Sequence, residues 1–313
     1  MAAHPVLPLN LDMPTLSASS NLPQVISVKH SHLWPPLNSS RSTLYSFCST
    51  RSRSTLINLV RDFRIVVSVK CGKVRVRIRK GALRDKVFIA GFHGIGYVGY
   101  LTVRHIVRAM ESRLVGYVLS PYMPQYTCTG PYGITTPYEL YAIRDYAVVF
   151  LPNLPLSRRD LFTVPYLLAE SSLKGGARTA LLIGGLDNNF KRDNLAYRYA
   201  ATGAFLRTHT ALFEDSKPLD EGLYIVGPLA AMMAYYQAHE FPAAAILPYA
   251  DSGGADPLAA REAVKIVARV LGFGIDDSDL LRLAEEKAKL ERELEEVRRK
   301  AERVRKGASA LYV

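Results

Sequence analysis

The segment Gly91-Phe92-His93-Gly94-Ile95-Gly96-Tyr97-Val98-Gly99 holds the residues best spaced for chemistry, because Gly94, Gly96 and Gly99 satisfy G-x-G-x-x-G between an apolar run and a helical pattern. Glycines so placed allow a tight turn and let a phosphate approach the N-terminus of the following helix. A dinucleotide site also calls for a carboxylate at the end of the next strand, to hold the ribose hydroxyls. That strand ends Val118-Leu119-Ser120-Pro121, without one. The competing reading is that the glycines, with Gly91, let the helix pack tightly against the sheet. It carries more weight, since a lone G-x-G-x-x-G is weak. If a ligand does bind the loop, His93 is the first residue to mutate.

Other reactive types are sparse. His105, His209 and His239 lack ligand-like spacing, and His239-Glu240 does not continue to H-E-x-x-H because Ala243 stands where the second histidine would. The cysteines, Cys48, Cys71 and Cys128, form no C-x-x-C pair. Neither a metal site nor a disulfide framework is expected, and a reducing, cytoplasmic setting is favoured. There is no G-x-S-x-G elbow, and Cys128 has no neighbouring base. No catalytic residue, cofactor or metal ligand is assigned.

The elements that must position the glycine loop read as an α/β body. Alternation over Val74–Ile78 marks a strand, and Lys86–Gly91 marks a buried one running into the glycines. A helical pattern follows through Val98, Leu101, Val103, Ile106, Val107 and Met110, then a strand over Leu114–Leu119. This βαβ unit implies a mainly parallel sheet with helices on both faces. Further strands fit Ala147–Leu151, Thr179–Ile183 and Ala244–Leu247. Helices fit Leu161–Ser171, the stretch opened by Gly227-Pro228, and Pro257–Leu271 with Asp256 as its cap. The α/β domain is placed at 74–275.

Residues 1–73 are rich in Ser and Pro, poor in acids and without sustained periodicity, so they are expected to be disordered. They fit either a dispensable or mistranslated extension or an organelle transit peptide. The body is poor in Asn, Gln and Cys and rich in Arg, Glu, Ala and Leu, a heat-adapted bias that favours the first. The net charge of +12 splits evenly: eight basic and two acidic residues lie in 1–73, leaving 32 basic and 26 acidic residues well mixed over the rest. That is too mild to argue for nucleic acid. No apolar run is long enough to span a membrane.

The seven tyrosines between Tyr117 and Tyr146, interleaved with prolines, fit either a subunit contact or the cover of a loop-rich side of the core. After Asp276-Asp277-Ser278, Leu280, Leu283, Leu290, Leu294 and Val297 recur at steps of three and four, broken at Lys287. Glu285 with Lys289 and Glu295 with Arg299 stand at i,i+4. A long charged helix over 276–306 is expected, its narrow seam paired with another helix. Gly307 should stop it, and Ala308-Ser309-Ala310 would tether Leu311-Tyr312-Val313, a flexible 307–313 tail. An apolar residue, a tyrosine and a free carboxylate can plug a pocket that holds a lysine.

Taken together, Gly91–Gly99, the Pro-rich lead into Pro137-Tyr138-Glu139-Leu140-Tyr141, Gly227-Pro228 and Asp256-Pro257-Leu258-Ala259-Ala260 closely resemble the archaeal proteasome assembly chaperone family, related to the second eukaryotic assembly chaperone. The resemblance covers about Lys86 to Lys306. It implies a nucleoside-phosphorylase-like fold without catalysis, assembly as a homo-oligomer, and docking of a hydrophobic-Tyr-X tail between α-subunits of the proteasome core particle. Leu311, Tyr312 and Val313 match that motif position by position. No G-x-x-x-x-G-K-[ST] occurs, so activation would be ATP-independent. The alternative is a nucleotide- or nucleoside-binding enzyme of the same fold using Gly91, His93, Gly94, Gly96 and Gly99.

Overall fold

Alternating burial along Val74, Val76 and Ile78, and complete burial of the five residues from Val87 to Gly91, show how the sheet is built in the computed structural model, which describes residues 65–309. Its strands are β1 (Ile65–Cys71), β2 (Val74–Arg79), β3 (Val87–Gly91), β4 (Ser112–Leu119), β5 (Cys128–Gly130), β6 (Gly133–Thr135), β7 (Tyr138–Ile143), β8 (Ala147–Pro152), β9 (Thr179–Ile183), β10 (Leu186–Asp187), β11 (Tyr197–Ala201), β12 (Lys217–Pro218) and β13 (Ala243–Ala250). The helices are α1 (Val98–Ala109), α2 (Asp160–Lys174), α3 (Gly203–Thr208), α4 (Pro228–Ala238), α5 (Pro257–Leu271) and α6 (Ser278–Ser309). The main sheet runs β1-β2-β4-β7-β8-β3-β9-β13-β11-β12, with β10 also on β13, and β5 pairs β6 apart from it.

The two faces of β3 separate the helices. Phe88 and Ala90 pack with Val164 and Leu167 of α2 and Met232 and Tyr236 of α4. Val87 and Ile89 pack with Val103 and Ile106 of α1 and Val264 and Val267 of α5. A strand apolar on both sides, as here, belongs at the centre of a doubly covered sheet. Capping matches expectation at α5, where the Asp256 carboxylate accepts from Ala259 N at 3.0 Å.

The expected mainly parallel sheet is corrected to a mixed one. β8, β3, β9 and β13 are parallel, but β2, β4 and β7 form an antiparallel flank. β4 does return parallel to β3, yet the β7–β8 hairpin stands between them. A helical crossover sets the direction of the return strand and leaves its neighbour open.

The 1–73 extension also needs revision, because β1 pairs antiparallel with β2. Cys71 opposite Val74 leaves Gly72-Lys73 as a two-residue hairpin turn, with Gly72 at φ +57 where glycine is favoured. The β-branched run Ile65-Val66-Val67 supplies the strand propensity. The division of the chain into compact units falls between Ile57 and Asn58, and every described residue belongs to the second. Among the described residues no helix is long and apolar enough to cross a membrane.

Candidate functional site

β3 delivers the chain into the glycine loop, a 3-10 turn at Ile95–Tyr97 follows, and α1 begins at Val98. A Cβ on Gly91 would collide with Gly99 O, and one on Gly99 would meet Ile183 O and, at 2.7 Å, Phe92 N. These two glycines let the first turn of α1 lie directly on the ends of β3 and β9. Gly96 sits at φ +59, and a Cβ there would lie 2.8 Å from Ala250 Cβ and 3.2 Å from Asp256 Cβ. Asp256 N donates to Gly96 O at 2.8 Å. Where a pyrophosphate would rest on glycine backbone, a loop carrying a carboxylate is packed instead. The geometry therefore supports the packing role for Gly91, Gly96 and Gly99. Gly94 differs: its φ is −143 and a Cβ there would meet nothing within 4 Å.

His93 is partly buried, stacked on Tyr100 with ring centroids 4.1 Å apart and edge-on to Tyr97 at 6.0 Å. Burial lowers its pKa from 6.5 to about 4, so the ring is neutral near pH 7. Its Nδ1 is buried with no hydrogen-bond partner among the described residues. His93, Gly94 and Ile95 line a cleft of about 480 Å³ together with Gly184-Gly185 after β9 and the loop 222–226. The cleft lies where the onward connections of β3 and β9 part to opposite sides of the sheet, the usual place for a ligand in such folds.

The seam residues divide at Lys287. Leu280 is 2% exposed and Leu283 packs partly buried beside it on the α1–α5 face. The start of α6 is fixed by His105 Nε2, 2.6 Å from Asp276 O, and by the Asp276 carboxylate, which accepts from Ser278 N at 3.1 Å. Lys287, expected as a break in the pattern, donates to Ala255 O at 2.8 Å and lies 3.8 Å from the Asp251 carboxylate. Among the described residues it is the last of the seam to hydrogen-bond to the body. Leu290 and Leu294 beyond it are 55% and 51% exposed. The Val297 side chain lies outside the described residues, as do Leu311, Tyr312 and Val313. Gly307 does not end the helix, which is assigned to Ser309. A helical glycine costs about 1 kcal/mol relative to alanine, which disfavours the conformation without forbidding it.

The tyrosine-rich stretch divides between core and surface. Tyr138 and Tyr141 are core residues, whereas Tyr122, Tyr126, Tyr132 and Tyr146 are exposed. Sequence reasoning missed the carboxylate at their centre. Glu139 is buried and accepts from Thr136 N at 2.8 Å, Tyr141 OH at 2.8 Å and Asn153 Nδ2 at 3.0 Å. Its donors are complete, as a buried carboxylate requires, so it latches the loop before β7. Burial and this carboxylate push the Tyr141 phenol well above its usual range. A glutamate inside an otherwise aromatic and aliphatic strand was the available signal. Also missed was the loop 222–227, where Tyr224 and Val226 are 83% and 71% exposed.

The model of the PAC2 family matches residues 88–298. Among solved structures, the chain is similar to Pyrococcus furiosus PbaA, an archaeal homolog of proteasome-assembly chaperone. The match has a TM-score of 0.60 and 19% identity, over 73% of this chain and 99% of that one. It is similar to P. furiosus PbaB, an archaeal proteasome activator, at a TM-score of 0.60 and 18% identity, over 72% and 100%. A Thermoplasma acidophilum protein of unknown function gives 0.56 and 17%, over 71% and 93%. Identities this low speak to fold alone. No curated protein matches the chain.

Proposed function

The chain belongs to the PAC2 family, and on that premise we propose that it is a non-catalytic, ATP-independent proteasome assembly chaperone or activator, docking Leu311-Tyr312-Val313 into pockets of the core-particle α-ring. The observation that carries this reading is the course of α6. It continues beyond its Lys287 contact with the body to Ser309, 22 residues that reach about 33 Å at 1.5 Å each. A peptide presented at that distance can enter a recess while the body stays outside it.

In the proposed mechanism Leu311 and Tyr312 supply apolar burial, and the carboxylate after Val313 pairs with a lysine of the pocket. Several tails on one homo-oligomer would engage a symmetric ring together, each raising the effective concentration of the next. Leu290 and Leu294, exposed on α6 beyond Lys287, are the residues for helix pairing between copies. PbaA and PbaB, similar in fold, are described as a proteasome-assembly chaperone homolog and a proteasome activator, which supports the reading. The nucleotide-enzyme alternative has less support, because the Gly96 position faces Asp256.

Co-sedimentation with archaeal core particles tests the proposal, comparing the full chain with one lacking Leu311-Tyr312-Val313. Binding that disappears with the three residues is the expected result, and peptide hydrolysis then separates activator from chaperone. Binding by neither form would overturn it.

A further inference from the structure

The cleft at the carboxyl ends of β3 and β9 has no part in tail docking, and its lining is selective. Among the described residues its polar side chains are His93 and Tyr224; Phe92, Ile95, Leu186, Phe190 and other apolar residues make up the rest, with glycine backbone between them. No Lys, Arg, Asp or Glu among the described residues lines it. A phosphate or carboxylate would enter without a counter-ion, and a cation would find no carboxylate, so either would lose hydration without repayment. Its volume of about 480 Å³ lies in the range of small-molecule sites.

One wall is a glycine-flanked segment. Leu223-Tyr224-Ile225-Val226 runs between Gly222 at φ +85 and Gly227 at φ +74. Leu223 and Ile225 are partly buried, whereas Tyr224 and Val226 stand largely in solvent. The approach to this segment is held by the Asp220 carboxylate, 3.6 Å from the buried Arg198 guanidinium, and its exit by Pro228 opening α4. A tyrosine and a valine left in water on a glycine-flanked segment have apolar area to gain by folding over an occupant.

The geometry points to this cleft as a binding site for an uncharged, flat, apolar small molecule of two or so rings, covered by the Leu223–Val226 segment. Aromatic neighbours Phe92, Phe190 and Tyr224 suit a planar ring system, and His93 offers a neutral hydrogen-bonding edge.

The test is a fluorescence titration of the full chain with N-phenyl-1-naphthylamine, an uncharged aromatic probe that brightens when desolvated. Saturable binding at one probe per chain is expected. Gly94→Leu places a side chain at the cleft wall on extended backbone with open space around it, so it should weaken binding at least tenfold while the melting temperature holds. Val226→Glu, at an exposed position, should weaken it as well without affecting folding. The proposal fails if binding is unsaturable, or if it survives Gly94→Leu and is lost on Leu290→Glu with Leu294→Glu, which would place the probe on α6. It also fails if adenosine monophosphate stabilises the protein and the uncharged probe does not. Removal of Leu311-Tyr312-Val313 should leave the titration unchanged, so this result stands or falls apart from core-particle binding.

Discussion

At Gly99 a single hydrogen separates a packed helix from a collision. Its neighbours at the added-methyl position are backbone atoms, Ile183 O and Phe92 N, which cannot swing aside like a side chain. Gly99→Ala should therefore destabilise the protein by at least about 2 kcal/mol despite alanine's better helix propensity, while Gly94→Ala changes stability by less than about 0.5 kcal/mol. Denaturant titration of the two variants reads the contrast, and equal stabilities would remove the packing role. His93 makes a second demand. Above pH 6.5 its ring is neutral in both states; below that the unfolded chain takes up a proton that the folded ring resists until about pH 4. Stability should fall as pH drops through that window, by roughly 2 kcal/mol once partial solvent access to the ring is allowed for, and the fall should be absent in His93→Gln. A parallel decline in the variant would assign it to other groups. The motif's spacing was legible in sequence, but which glycines face backbone and which face open space depends on β9 and the Ala250–Asp256 loop, far away in the chain.

At the scale of elements, α6 is a helix with two environments on one stripe. Leu280→Ala empties a buried position on the α1–α5 face and should cost about 2–4 kcal/mol, whereas Leu290→Ala alters an exposed one and should change unfolding by less than about 0.5 kcal/mol. Equilibrium unfolding of the two variants checks this, and similar costs would mean that α6 is not divided at Lys287. The seven-residue repeat announced a helix but not this division, since Lys287 reads as a break until Ala255 O and Asp251 are seen beside it. Elements with strong local signals were legible nearly to their ends: Thr179–Ile183 and Pro257–Leu271 match expectation. β1 and β7 were not. β1 follows a Ser-rich stretch that masks its short run, and β7 follows Pro137 and carries Glu139 beside residues that only their partners β4 and β8 identify as core.

At the scale of the molecule, the proposed docking needs more than one tail, and the structure bears on how copies could be joined. Among the described side chains the seam beyond Lys287 offers Leu290 and Leu294, two positions four residues apart, and an apolar contact that small is marginal in water. Pairing through these two leucines alone would be weak, and contacts from the body would add to it. Tyr126, Tyr132 and Ile134 on and beside the β5–β6 hairpin are one exposed apolar surface of the body, and Phe162 and Tyr166 of α2 are another. Replacing Leu290 and Leu294 with glutamate places like charges across any pairing of copies and leaves the buried half of the helix intact. If avidity underlies core-particle binding, this double variant, with its tail unaltered, should sediment as a smaller species. It should also bind the ring at least about tenfold more weakly than the parent chain. Light scattering and co-sedimentation on the same preparation decide the matter. A smaller species that binds as tightly as the parent would assign the affinity to one tail and its own body. A species of unchanged size that binds weakly would show instead that α6 itself touches the ring.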